Sequence, residues 1–435
     1  MWSDFSNYLR LFANRRTTAM LFLGFASGLP LALTNKTLQA WFTKAGVSVE
    51  AIGFLTLVSM PYAWKFLWAP LMDRYVPPLL GRRRGWMLLT QVSLLIAIGA
   101  MAFLNPAATP VAIAGLAFGV AFLSASQDIS FNAYMVDILE PAERGMGAAL
   151  QVWGYRAAML VSGGGALIIA DYYGWRASFL VMAALMGVGI CTTLLSPQPK
   201  IERAPAKLRD AVVKPFAEFI SRRGAIALLA LVVLYKMGDA FGGALNYTFL
   251  LRGVGFSLTD VGGIYKVVGT IGTIAGIFFG GALLAKLGLF RSLLIFGILQ
   301  AVSMFAFMVL ALVGKNYAIM IAAIAIENTA WGMGTAAFLA FIMALCDHRY
   351  AATQFALLTA LDSVGRTYAG PAAGYVQVNV GWAGYFAVAV LVAVPGLVLL
   401  CLLRRRVDDA DRGLSVAPEA ATLPPPARPG LSVSK

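Results

Sequence analysis

Histidine is almost missing from this sequence: His348 is the only one in 435 residues. A single imidazole removes His-based zinc sites, and no nucleophile triad appears. The three cysteines, Cys191, Cys346 and Cys401, lie in or beside apolar runs without ligand-type spacing, so neither a disulfide framework nor a metal cluster is implied. No Gly-x-x-x-x-Gly-Lys-Ser/Thr stretch occurs, which excludes a phosphate loop and with it ATP as the energy source. Charge is scarce as well. Asp, Glu, Lys and Arg make up 12% of the chain, about half their share in a soluble domain. Nothing here calls for a cofactor or indicates an enzyme.

Apolar residues fill the space that charge leaves. They form 60% of the chain and fall in long blocks rather than amphipathic stripes. A membrane-spanning helix needs about 20 apolar residues, and that ruler finds twelve runs, at roughly 17–41, 50–72, 85–104, 110–137, 146–170, 176–196, 224–250, 259–285, 291–313, 317–345, 351–378 and 382–403. The first run is too long for the apolar stretch of a signal peptide and eleven more follow it, so it reads as a retained helix. The expected class is an all-α polytopic membrane protein with 12 transmembrane helices.

The net charge of +14 follows the loops. With twelve spans both termini share one side, and the loops and tails there hold 24 of the 34 lysines and arginines. The other side has only Lys44, Arg176, Arg252 and Lys315. By the positive-inside rule the basic side is cytoplasmic. The excess therefore reflects topology and contact with the lipid bilayer, with no nucleic-acid footprint.

The widest break between spans is rich in proline and base. It divides the chain into an N-terminal six-helix bundle (1–196), a basic cytoplasmic central loop (197–223), a C-terminal six-helix bundle (224–404) and a disordered cytoplasmic tail (405–435). The halves repeat at an offset of 207: Arg15-Arg16 matches Arg222-Arg223, Phe42 matches Phe249, Gly46-Val47 matches Gly253-Val254, and Gly174-Trp175 matches Gly381-Trp382. Two parallel six-helix repeats describe the fold of major facilitator transporters, whose substrate site lies between the halves near the bilayer midplane. The loop Met72-Asp73-Arg74-Tyr75, continued after five residues by Gly81-Arg82-Arg83-Arg84, resembles the loop signature of that superfamily. Asp73, Arg74, Gly81, Arg82 and Arg83 are thus gating candidates, as an inter-helix latch that breaks in the alternate state, or merely a topogenic basic loop.

Longer stretches narrow the resemblance. Gly24-Phe-Ala-Ser-Gly28-Leu-Pro30, Thr37-Leu-Gln-Ala-Trp41, Lys65-Phe-Leu-Trp68-Ala-Pro-Leu-Met-Asp73-Arg74-Tyr75, Ser124-Ala-Ser-Gln-Asp128-Ile, Leu234-Tyr-Lys236-Met-Gly-Asp239, Arg252-Gly-Val-Gly-Phe256 and Thr353-Gln-Phe-Ala-Leu-Leu358 resemble the AmpG family of muropeptide permeases across nearly all of residues 5–405. The resemblance implies proton-driven uptake across the bacterial inner membrane of N-acetylglucosaminyl-anhydro-N-acetylmuramyl peptides, anionic glycopeptides, for peptidoglycan recycling and β-lactamase induction. The chain departs from the family in two ways. Some relatives carry further C-terminal helices where this chain has a polar tail, and the family often has Asp where Asn132 stands.

Inside the spans lie six bases (Lys36, Lys65, Arg156, Lys236, Lys266, Arg366) and four acids (Asp128, Asp239, Glu327, Asp362). At about 3 kcal/mol each, ten lipid-facing charges would cost about 30 kcal/mol, so they are expected to share a wet interior and largely pair. The balance is positive and suits an anionic ligand. Asp128, in the middle of an apolar run, either carries the coupling proton or permanently neutralises Lys36, Lys65 or Arg156; Glu327 and Asp239 are the other proton candidates. Lys236 and Asp239, three residues apart, read either as a substrate-reading pair or as a structural one, and Gly238 and Gly242, four residues apart, permit close helix approach or a break near the midplane. Lys36, Lys65, Arg156, Lys236 and Lys266 are candidate carboxylate ligands. Gln127 either binds sugar hydroxyls or bridges helices, and Tyr62 and Trp331 either stack on sugar rings or serve packing. The expected partners are the anionic glycopeptide and protons, for a monomer. A carrier of another organic anion, nucleotide-like or coenzyme A-like, is the alternative, and a non-transporting receptor the third reading.

Overall fold

Helix starts follow local chemistry. Asn14 accepts a hydrogen bond from the Arg16 N–H and caps the first helix, α1 (Arg15–Lys44), and a left-handed Leu80 precedes α3 (Gly81–Met101). The computed structural model describes residues 14–140, 143–198, 219–221, 224–346 and 351–412, and among them every regular element is helical. Most of the basic central loop, including Arg222-Arg223, and everything after Arg412 lie outside the described residues.

Nine described helices are long and apolar enough to cross a membrane. Two of them are double. Met146–Leu195 has 50 residues, which as one rod would measure about 75 Å against a hydrocarbon core of about 30 Å. It turns back at Gly174 (φ 81°, ψ 163°), a backbone state that costs glycine least. Ala351–Leu402 does the same at Gly381 (φ 71°, ψ −178°), the position 207 residues on. These breaks define α5 (144–173) and α6 (175–195), and α11 (351–380) and α12 (382–402). The expected second span, α2 (49–74), is a chain of short pieces instead of one rod. Pro61 and Pro70 fall at the starts of two of them, and 3₁₀ turns at Leu55–Ser59 and Lys65–Leu67 join them. The remaining spans are α4 (Pro110–Ile138), α7 (Ala225–Val254), α8 (Leu258–Leu287), α9 (Leu289–Val313) and α10 (Tyr317–Leu345). Read this way the segments make twelve passes. A short amphipathic helix, α13 (Arg404–Asp411), buries Val407 and Ala410, so the first residues of the expected unstructured tail are ordered.

Apolar burial shows how the halves meet. On the side with few bases one continuous core runs through both halves, from Leu38, Phe42 and Phe179 to Phe249, Phe307 and Phe386. On the basic side it forks. Met20, Phe131 and Tyr134 form one cluster, and Phe219, Phe296, Phe341 and Val407 another. The molecule is therefore closed on the base-poor side and divided on the basic side.

Two glycine crossings make the closure tight. A Cβ on Gly53 of α2 would lie 2.5 Å from the Gly370 carbonyl oxygen of α11, and one on Gly164 of α5 would lie 2.6 Å from that of Gly262 in α8. Gly164 lies 206 residues before Gly370 and Gly53 lies 209 before Gly262, so the second crossing is the repeat image of the first within two residues. Four π turns, Leu33–Thr37, Val161–Gly165, Phe249–Val254 and Val261–Tyr265, cluster where α1, α5, α7 and α8 meet the opposite half. Large apolar side chains such as Ile96, Phe103, Phe278, Leu312 and Leu402 remain exposed, the surface a bilayer would cover.

Candidate functional site

Close backbone packing sets the first cluster. Gly24 and Gly28 of α1 press on the Gln151 and Tyr155 backbone of α5, and Gly154 presses on Leu21. Ser27, on the same face of α1, donates its hydroxyl to Asp128 Oδ1 on α4. Lys65 Nζ stands 3.7 Å from Asp128 Oδ2. Of the three bases that Asp128 was expected to neutralise, Lys65 is the partner found. The carboxylate is 15% exposed and the lysine 37%, so the pair reaches solvent from one side. Tyr62 lies beside Asp128, Thr34 and Ser124. Gln127 points away into the protein, 1% exposed, and neither amide atom has a partner there. Asn132 is exposed.

A second cluster lies between α1, α7, α8 and α10. Helix α7 breaks at Lys236 (φ −94°, ψ −1°) and again at Leu245 (φ −112°, ψ 10°). Gly238 and Gly242 between the breaks pack closely on Ala393, and on Met304 and Ala389. Of the two roles open to this pair of glycines, close approach is therefore the one they fill, while the breaks flank them. Freed from the helix at the first break, Lys236 lies 5.6 Å from the Trp331 ring centre and donates to the Thr335 hydroxyl at 3.3 Å. Thr335 is the repeat equivalent of Asp128, so a lysine meets this position in both halves. Glu327 is buried and accepts from Asn328 Nδ2 at 2.6 Å. Asp239, Lys36 and Lys236 stand within electrostatic reach of it.

Two bases cross between the halves. Lys36 donates to the Gly243 carbonyl at 2.6 Å and lies over the Tyr247 ring. Gly243 is its own repeat equivalent, as expected for residues near a pseudo-twofold axis. The Lys266 stem fills the groove over Gly163 and Gly164 of α5, and Arg156 lies in electrostatic reach of Lys266. Arg366 is exposed and bonds Ser363 at 3.4 Å, and it is not assigned to either cluster. The Asp362 and Asp73 side chains lie outside the described residues. In the loop before α3, Gly81 takes positive φ, Arg74 is exposed and Arg82 half-buried. Arg83 pairs with Asp137 at the end of α4 at 3.0 Å, a bond within the N-terminal half.

Several residues were not anticipated: Ser27, Asn328 and the seam residues Gln39, Thr43, Thr248 and Arg252. Gln39 donates to the Ala244 carbonyl at 2.7 Å, and the Thr43 and Thr248 hydroxyls are 3.0 Å apart. Their signal is the spacing 36, 39, 43, which places polar groups on one helix face.

The profile of the Major Facilitator Superfamily matches residues 20–370. The chain belongs to the major facilitator superfamily. Within it, the chain is 50% identical to the anhydromuropeptide permease of Escherichia coli K12 over 405 residues, 93% of this chain and 82% of that protein. It is 30% identical to a putative AmpG transporter of Rickettsia felis over 92% of this chain and 99% of that one. The fold of a bacterial homologue of the human lysosomal transporter Spinster matches with a TM-score of 0.65, at 15% identity, over 92% of this chain and 97% of that one. The major facilitator assignment fits the two repeats, the central charged clusters and closure at one end only.

Proposed function

We propose that this multi-pass membrane protein is an importer of anhydro-muropeptides, carrying them from periplasm to cytoplasm across the inner membrane with protons. The observation that carries the reading is 50% identity over 93% of the chain to a permease named for that substrate. The interior supports it. Lys36 has Lys266, Glu327 and Asp239 within electrostatic reach, and Glu327 has Lys236 as well, a balance suited to the carboxylates of a glycopeptide.

In this reading Asp128 carries the proton. Its charged form is held by Lys65 and Ser27, and protonation releases Lys65 into the substrate space. Glu327 and Asp239 belong with the substrate-reading bases, Trp331 and Tyr62 face the sugar rings, and Gln127 supports α4. The basic side is cytoplasmic, both termini are inside, and the protein works as a monomer.

Proteoliposomes test the scheme. Labelled anhydro-muropeptide should accumulate only under an inward proton gradient, and uptake indifferent to the gradient would sink the coupling. Asp128→Asn should abolish accumulation while preserving exchange. Full accumulation by that variant would move the proton site to Glu327 or Asp239.

A further inference from the structure

The seam on the base-poor side is held by donors that reach across the halves mainly to backbone carbonyls. Arg252 of α7 donates to the Val47 carbonyl at 2.7 Å and to the Thr43 carbonyl at 2.6 Å. Lys36 and Gln39 of α1 donate in the opposite direction, to Gly243 and Ala244. No carboxylate among the described residues pairs with Arg252. Of the acids on this side, Asp171 accepts from the Thr259 N–H at 3.0 Å and hydroxyl at 2.6 Å, Asp260 closes a capping box with Ser257 and accepts from Tyr317 at 3.1 Å, and Glu50, three residues after Val47, is exposed. Of the other bases on this side, Arg176 lies over Phe103 and Lys315 over Phe256, and Lys44 is exposed.

A carbonyl is a dipole and a weak counterpart for a guanidinium. When α1 and α7 separate on this side, the Thr43 and Val47 carbonyls leave with α1, and the fork of Arg252 is exposed to the solution that supplies substrate. A carboxylate matches that fork with two oxygens and a full charge. We propose that Arg252 is the outer anion-binding group of the transporter. It takes a carboxylate of the incoming glycopeptide while the base-poor side is open, and exchanges it for the two carbonyls as the seam closes. Lys36 repeats the arrangement seven residues deeper along α1, about 10 Å inward, where Lys266, Glu327 and Asp239 lie within its electrostatic reach. Closure from the rim then passes the carboxylate from Arg252 to Lys36 and on to the central bases. One residue thus serves as latch in one state and as receptor in the other.

This inference rests on the import reading, and the two fail separately. Uptake by proteoliposomes is measured for the free-acid anhydro-muropeptide and for the same compound with its carboxylates amidated. Wild type should favour the free acid, with a KM for the amide about tenfold or more higher, one unit of binding selectivity or above. Arg252→Ala and Arg252→Gln should lower the KM ratio severalfold, leaving the preference that Lys36, Lys236 and Lys266 supply, while still transporting the amide, which shows that both are folded. Gln keeps N–H donors for the carbonyls and loses only the charge, and Arg252→Lys should keep most of the preference. An unchanged ratio in Ala and Gln, or a wild type without preference, overturns the proposal and leaves Arg252 a latch. Absence of wild-type uptake of both compounds rejects the import reading instead.

Discussion

At the residue scale the structure rests on a few contacts that tolerate no added atom. A Cβ on Gly154 would lie 1.9 Å from the Leu21 carbonyl oxygen, whereas nothing lies within 4 Å of one on Gly187. Gly154→Ala should therefore destabilise the N-terminal bundle by about 1–3 kcal/mol, read as an earlier thermal aggregation midpoint in detergent, with Gly187→Ala as the neutral control. Equal midpoints would show that α1 and α5 yield at little cost. The sequence revealed the rare charges because each costs so much in an apolar run, and Asp128, Lys65, Lys36 and Glu327 were legible on that ground alone. Ser27 was not. A serine in a span is cheap and common, and only the three-dimensional meeting of α1 with α4 gives it a role.

At the scale of elements, the seam between α1 and α7 moves or the protein does not work. The Thr43 and Thr248 hydroxyls, 3.0 Å apart, mark a place to lock it. In a background lacking Cys191, Cys346 and Cys401, Thr43→Cys with Thr248→Cys should cross-link on oxidation, stop uptake, and recover with reductant. Full-rate transport by the cross-linked protein would show that this end stays shut throughout the cycle. Hydropathy found the passes because their length is set by the bilayer. It missed the broken course of α2, since Pro61 and Pro70 leave composition unchanged while removing two N–H donors. The breaks in α7 at Lys236 and Leu245 lie just outside the glycines that offered a break there, so their neighbourhood was legible and their positions were not.

At the scale of the whole molecule, the uneven distribution of bases and the uneven closure coincide. The end rich in arginine is the divided end, and the end with few bases is sealed by two Gly-Gly crossings and one continuous core. The base count alone predicts that the divided end is cytoplasmic. A fluorescent protein fused after Arg412 should mature and fluoresce, and alkaline phosphatase fused at the same place should be inactive; the reverse pattern would invert the topology. The 207-residue offset was legible from glycines and aromatics at loop ends, and the pairing of Lys36 with Gly243 gives it a spatial meaning. The closed end was not legible, because a repeat specifies two similar halves and says nothing about which end they share.

The four π turns at the meeting points of α1, α5, α7 and α8 have a mechanical consequence. Each packs one residue more into its turn than the flanking helix does, so each of these rods holds a residue of slack. Taking up that slack rotates one end of a rod against the other by about the 100° of a single helical residue and lengthens the rod by about 1.5 Å. The crossing can then unscrew with only that small axial shift at the faces of the bilayer.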